Sequence, residues 1–134
     1  MLWVMVLVTV MHVLAGVFWA GSSGVMARTG AVGMEAVARP QLGAAVLAIL
    51  MGGVLWSLNH RGPEGTGDHI LGAGALCALA AAVLQAVSLP KVRALTAAQG
   101  SDRDALRRSL ALRQRIAMGL LTLTIAAMVS WRYF

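Results

Sequence analysis

His12 is a titratable side chain inside an uncharged apolar run. Residues 2–27 read LWVMVLVTVMHVLAGVFWAGSSGVMA and contain no Asp, Glu, Lys or Arg. Holding a histidine near the middle of such a run is costly in hydrocarbon, and intramembrane ionisable groups mark functional sites by default. Its imidazole suits a soft or borderline metal, and thioethers are soft partners for the same ions. Met11 precedes it, and Met51 reaches a similar depth when the next apolar run returns antiparallel; Met128 sits nearer the surface. Cu(I) or the iron of a haem is the cofactor such donors fit. The competing reading is a histidine hydrogen-bonded across a bundle, with methionine as core filler. For a ligating histidine, Thr9 or a backbone carbonyl one turn back is the expected acceptor of the other ring N–H.

A weaker candidate brackets the loop after the second apolar run. His60 and His69 stand at its two ends with Glu64 and Asp68 between them, a possible two-histidine-plus-carboxylate metal site. Its spacing matches no fixed ligand pattern, so a solvated polar turn is the favoured reading. Asp68 is also placed to cap the following helix. No charged residue falls in the middle of an apolar run, so there is no carboxylate relay for proton-coupled transport. Gln85, Ser88, Ser22 and Ser23 add polarity at one end of the spans without forming a proton path. Neither a nucleophile–base pair nor a phosphate-binding glycine loop is present, which sets hydrolase and nucleotidase readings aside.

The elements that must carry these residues are membrane helices. Of 134 residues, 59% are hydrophobic and 12% charged, too apolar for a soluble domain of this size. Four runs of spanning length are expected, at about 2–27, 41–59, 69–89 and 113–133, giving a single all-α transmembrane four-helix bundle. Pro40 is expected in the first turn of the second span and Pro90 at the end of the third. Ser101 and Asp104 suggest a capping box, with the last helix starting near Asp102. The lone Cys77 forms no intrachain disulfide and suits small-residue packing.

Basic residues orient the bundle. Arg28 and Arg39 lie in the first connection, and Lys91, Arg93, Arg103, Arg107, Arg108, Arg113 and Arg115 in or beside the third. Only Arg61 and Arg132 lie at the opposite end, so the positive-inside rule places both termini outside. Trp3, Trp56, Trp131 and Tyr133 fall at that outer boundary, as an aromatic belt does. No basic residue precedes Arg28, so the first run reads as a retained helix rather than a cleaved signal. The net charge of +6 has no basic-aromatic stripe to track a phosphate backbone, and a nucleic-acid partner is not expected. Membrane lipids are the expected partners of the basic third connection, and Asp104 and Arg108 are spaced to pair.

Small residues recur every fourth position at Gly16, Ala20 and Gly24, at Ala44, Ala48 and Gly52, and at Gly74, Ala78, Ala82 and Ala86. Such seams let helix backbones approach closely. Leucine at Gly16 or Gly24 is therefore expected to destabilise the bundle or its assembly.

His12, Trp19 and Gly21 form the pattern H-x6-W-x-G within HVLAGVFWAG. With LPKVRAL and ALRRSLALRQRIAMGLLTLTIAAM near the end, it resembles the copper-resistance-D family of bacterial membrane proteins. That resemblance implies a multi-pass protein of the bacterial inner membrane that moves or handles copper. The first helix is also similar to HemJ-type protoporphyrinogen oxidases, which implies haem b and a functionally important histidine. Here the basic residue that family places near the start of its third helix is missing (Leu71 and Gly72 follow His69), and no Asn-Glu-x-Pro opens the fourth. Three functions remain open: a copper- or haem-binding protein, a redox enzyme of porphyrin metabolism, and a structural subunit packed against other membrane subunits or a second copy.

Overall fold

Hydrocarbon offers no water to backbone N–H and C=O groups, so a chain this apolar must satisfy them within helices. The computed structural model describes residues 1–59 and 65–134, and its regular elements there are all helical. They are α1 (Leu2–Arg28), α2 (Met34–Asn59), α3 (Thr66–Ala86), a short α4 (Leu89–Leu95) and α5 (Gly100–Ser130), followed by a 3-10 turn at Trp131–Tyr133. Four of these helical stretches, containing α1, α2, α3 and α5, are long and apolar enough to cross a membrane. The chain is an all-α four-helix bundle with a short helix, α4, before its last span.

Several boundaries differ from expectation. α2 starts at Met34, so Pro40 lies inside the helix rather than in its first turn. α3 stops at Ala86, and Pro90 opens α4 at its second position, where the missing N–H costs nothing. Asp68 is not the N-cap of α3; it is the third helical residue, and its Oδ2 accepts from the Gly65 N–H at 2.8 Å. α5 begins at Gly100, just before the predicted start. α1 ends in a Schellman turn: the Ala31 N–H reaches back to the Met26 carbonyl at 2.9 Å, with Gly30 at φ +66°. A left-handed residue at that position is what glycine supplies without strain.

Cross-contacts set the register. His12 meets Ala48 while Ser23 meets Gln41, so α1 and α2 run antiparallel. Thr124 meets Gly74 while Gln114 meets Gln85, so α3 and α5 do too. α1 packs on α2 and α5, and α3 packs on the same two, which leaves α1/α3 and α2/α5 as diagonals. Gly67 at the start of α3 lies against the Trp131 carbonyl and Phe134, and Arg115 meets Ala27 while Met118 meets Gly24, so α5 runs antiparallel to α1 and both termini stand at one end. Cysteines placed at Thr66 and Ala97, in a Cys77→Ala background, should label from opposite sides of the membrane with an impermeant maleimide. Labelling of both from one side would overturn this antiparallel arrangement.

Inward faces repeat at alternating spacings of three and four. On α2 they are Met34, Ala38, Gln41, Ala45 and Ala48; on α5, Leu110, Gln114, Ala117, Leu121 and Thr124. That repeat belongs to near-parallel packing with knobs fitting into holes. Of the seam expected on α1, Ala20 packs against the core, but the two glycines do not approach another helix backbone. A Cβ at Gly16 would meet nothing within 4 Å, and one at Gly24 only the flexible end of Met118. Instead α1 turns Ala15, Trp19, Ser23 and Met26 inward. Gly16→Leu should therefore leave the packing of the bundle undisturbed. On α3, Gly74 and Ala78 are on the packing face as expected, joined by Ala81 and Gln85.

Candidate functional site

His12 reaches the α1–α2 crossing. Its Nδ1 lies 2.8 Å from the carbonyl oxygen of Ala48. A carbonyl only accepts, so Nδ1 is the donor of this bond, and the neutral ring then has its lone pair on Nε2. The same carbonyl is the helical acceptor for the Gly52 N–H, four residues on. Glycine at 52 makes room for both bonds: a Cβ there would stand 3.0 Å from His12 Cε1 and 3.4 Å from Nδ1. No described residue hydrogen-bonds to Nε2. The acceptor is therefore across the bundle and not Thr9, whose hydroxyl is spent on the Met5 carbonyl at 2.8 Å.

The ring rests on the turn of α2 that carries Met51, in line with the depth expected of these two residues. Met51 is half-buried, whereas Met11 is 37% exposed on the outer surface of α1. His69 is exposed in the first turns of α3. His60 and Glu64 lie outside the described residues, so the second candidate site is represented only by His69 and Asp68. Among the described residues, no group of three or more His, Cys, Asp or Glu side chains converges as a metal cage would require.

Closer to the basic end, the bundle axis holds a polar cluster only part of which was apparent from sequence. Trp19 Nε1–H donates to Gln85 Oε1 at 2.6 Å, bridging the α1/α3 diagonal. The Gln85 amide donates to Ser23 Oγ at 2.9 Å and to Gln114 Oε1 at 3.1 Å. Gln41 and Gln114 face each other across the other diagonal, where Gln114 Nε2 donates to Gln41 Oε1 at 3.1 Å and Gln41 Nε2 lies 3.4 Å from Gln114 Oε1. Gln41 Nε2 also donates to Ser23 Oγ at 3.0 Å and Ser22 Oγ at 3.1 Å. Ser23 returns its proton to the Trp19 carbonyl at 2.8 Å. Gln41, Gln85, Gln114, Ser23 and Trp19 are all buried.

Every amide in this cluster has partners, and none of its buried polar atoms is left unpaired. Such a closed network is neutral and offers no general base, nucleophile or free ligand. Its role is to select one register of four otherwise slippery apolar helices. The legible signal was one amide side chain in or beside each of three spans, at matching distance from the basic end. Gln41 and Gln114 escaped notice because they sit at the margins of the apolar runs.

Compared with known families, curated proteins and solved structures, the chain finds no match in any of the three.

Proposed function

We propose that this is a small multi-pass protein of the bacterial inner membrane, with both termini outside, that holds haem b or copper through His12 Nε2. The observation that supports it is the tautomer: with Nδ1–H committed to the Ala48 carbonyl, the free lone pair is on Nε2. Metal-ligating histidines are characteristically held in this way, the second nitrogen tied to a carbonyl that orients the ring. A single imidazole would suffice to hold haem iron, whereas copper would need Met51 or Met11 in addition. Gly16, one turn along α1 from His12, leaves open space over its Cα, which favours a flat macrocycle over a bare ion. When bound, either group supplies one-electron redox chemistry. The protein's part is to fix the ring and exclude water by its apolar surroundings.

His12→Ala should abolish cofactor retention in the purified protein, read as loss of a Soret band or of stoichiometric copper. Gly52→Ala should weaken it by displacing the ring, while His69→Ala should leave it intact. Met51→Leu keeps the volume, so a loss there reports ligation. A folded His12→Ala protein with unchanged spectrum and metal content would overturn the reading.

One observation favours a second reading, a structural subunit of a larger membrane complex. Gly21, Gly43, Gly53 and Gly72 leave the outer faces of α1, α2 and α3 open at their Cα atoms, surfaces that a partner helix can approach closely. In that case His12 is a strut between α1 and α2, and co-purifying subunits without a cofactor are the expected result.

A further inference from the structure

The basic residues around the third connection divide into two groups. Lys91 Nζ donates to Ser109 Oγ at 2.8 Å, and Arg113 Nη1 to Ser88 Oγ at 3.0 Å. Arg103 donates to the Leu95 carbonyl at 2.9 Å and pairs with Glu35 at 2.7 Å. These side chains tie α4 and the start of α2 to α5. Arg107 and Arg108 make no hydrogen bond or ion pair among the described residues, and the expected Asp104–Arg108 pair is not formed. Arg107 Nε is buried with no acceptor.

Both unused arginines face a cavity of about 660 Å³, lined also by Gly30, Asp104 and Arg115. Against one carboxylate it presents three guanidinium groups. A second cavity of about 420 Å³ lies between α1 and α5, lined by Gly21, Gly24, Val25, Arg28, Arg115 and Met118. Arg115 belongs to both, held over the end of α1 by its Nε–H, 3.4 Å from the Ala27 carbonyl. Each volume is within the ~300–1,000 Å³ usual for ligand pockets. Along α5 the lining runs from Asp104 to Met118, about 21 Å at helical rise, passing from charged to apolar as it enters the membrane.

We propose that the two cavities, joined at Arg115, form one groove that binds one anionic phospholipid, its phosphodiester on Arg107, Arg108 and Arg115 and an acyl chain along Gly21 and Gly24. Charge complementarity selects the headgroup, because basic pockets between membrane helices bind anionic lipid heads. Asp104 accepts from a headgroup hydroxyl, so a glycerol-type head fits better than choline, which has no donor. The glycines matter by omission: a side chain at Gly21 would project into the groove, since its Cβ meets nothing within 4 Å. That open position also makes Gly21→Leu a test that leaves the packed interior alone.

Native mass spectrometry of the full chain in detergent, titrated with phosphatidylglycerol or with phosphatidylcholine of the same chains, reads the site directly. One phosphatidylglycerol should be retained where phosphatidylcholine is lost. Arg107→Gln with Arg108→Gln should weaken retention at least tenfold, at ~1 kcal/mol per basic residue near a lipid surface. Gly21→Leu should weaken it comparably with an unchanged melting temperature. Arg93→Gln removes a charge from the same connection outside the groove and should leave binding as it was. An equal loss with Arg93→Gln would mean diffuse attraction and overturn the site. Competition by glycerol 3-phosphate, together with indifference to Gly21→Leu, would make it a soluble-phosphate site and overturn the lipid. Failure to retain phosphatidylglycerol, with an acidic protein bound there instead, would overturn it as well.

Discussion

Gly74→Ala should destabilise the bundle by about 1–3 kcal/mol, the usual cost of forcing a methyl into a packed contact, and Gly74→Leu by more. An added Cβ would lie 2.6 Å from the Cβ of Ala127 and 3.4 Å from the Thr124 carbonyl oxygen. Both neighbours belong to a helix backbone or its first side-chain atom, so neither can swing aside. α3 and α5 would have to separate, stretching the bond from Thr124 Oγ1–H to the Gly74 carbonyl, now 2.9 Å. Because the obstacle is the Ala127 methyl, Ala127→Gly should restore much of the loss. Gly72→Ala, where a Cβ meets nothing within 4 Å, should be neutral or stabilising, since alanine is favoured in helices by up to ~1 kcal/mol. Thermal unfolding in one detergent measures all four variants. Equal behaviour of Gly72→Ala and Gly74→Ala would show that α3 and α5 do not meet at Gly74.

Gln114→Leu should cost about 2–3 kcal/mol although it swaps side chains of similar volume. Interhelical hydrogen bonds in membranes average only ~0.6 kcal/mol. An orphaned buried amide costs ~1–3 kcal/mol, and this second effect governs. Removing Gln114 takes the donor from Gln41 Oε1 and one acceptor from Gln85 Nε2. Gln41→Leu alone strands Gln114 in the same way. The double variant removes both halves of the reciprocal amide pair, so it should cost clearly less than the sum of the singles. Such non-additivity is the signature of a shared network. Strict additivity in the double-mutant cycle would mean that the amides pack independently.

The sequence by itself determined that the chain makes four membrane helices, the middle of each though not its ends, and that nearly all its basic residues collect at one end. Length, apolarity and charge placement carry that information because the bilayer imposes it on every residue of a span. It also singled out His12 and placed Met51 level with it, from depth alone. What it could not assign was direction around each helix axis. In water the apolar stripe of a helix points to the core, but in lipid every face is apolar and the stripe disappears. Gly16 and Gly74 read alike in small-residue seams, yet only Gly74 is pressed against another helix. Likewise Gln41, Gln85 and Gln114 became one network only when four helices brought them to a common axis. His12 found its acceptor on Ala48 because Gly52 left the opening. These are pairwise coincidences between positions 18 to 73 residues apart, and only packing brings such residues together.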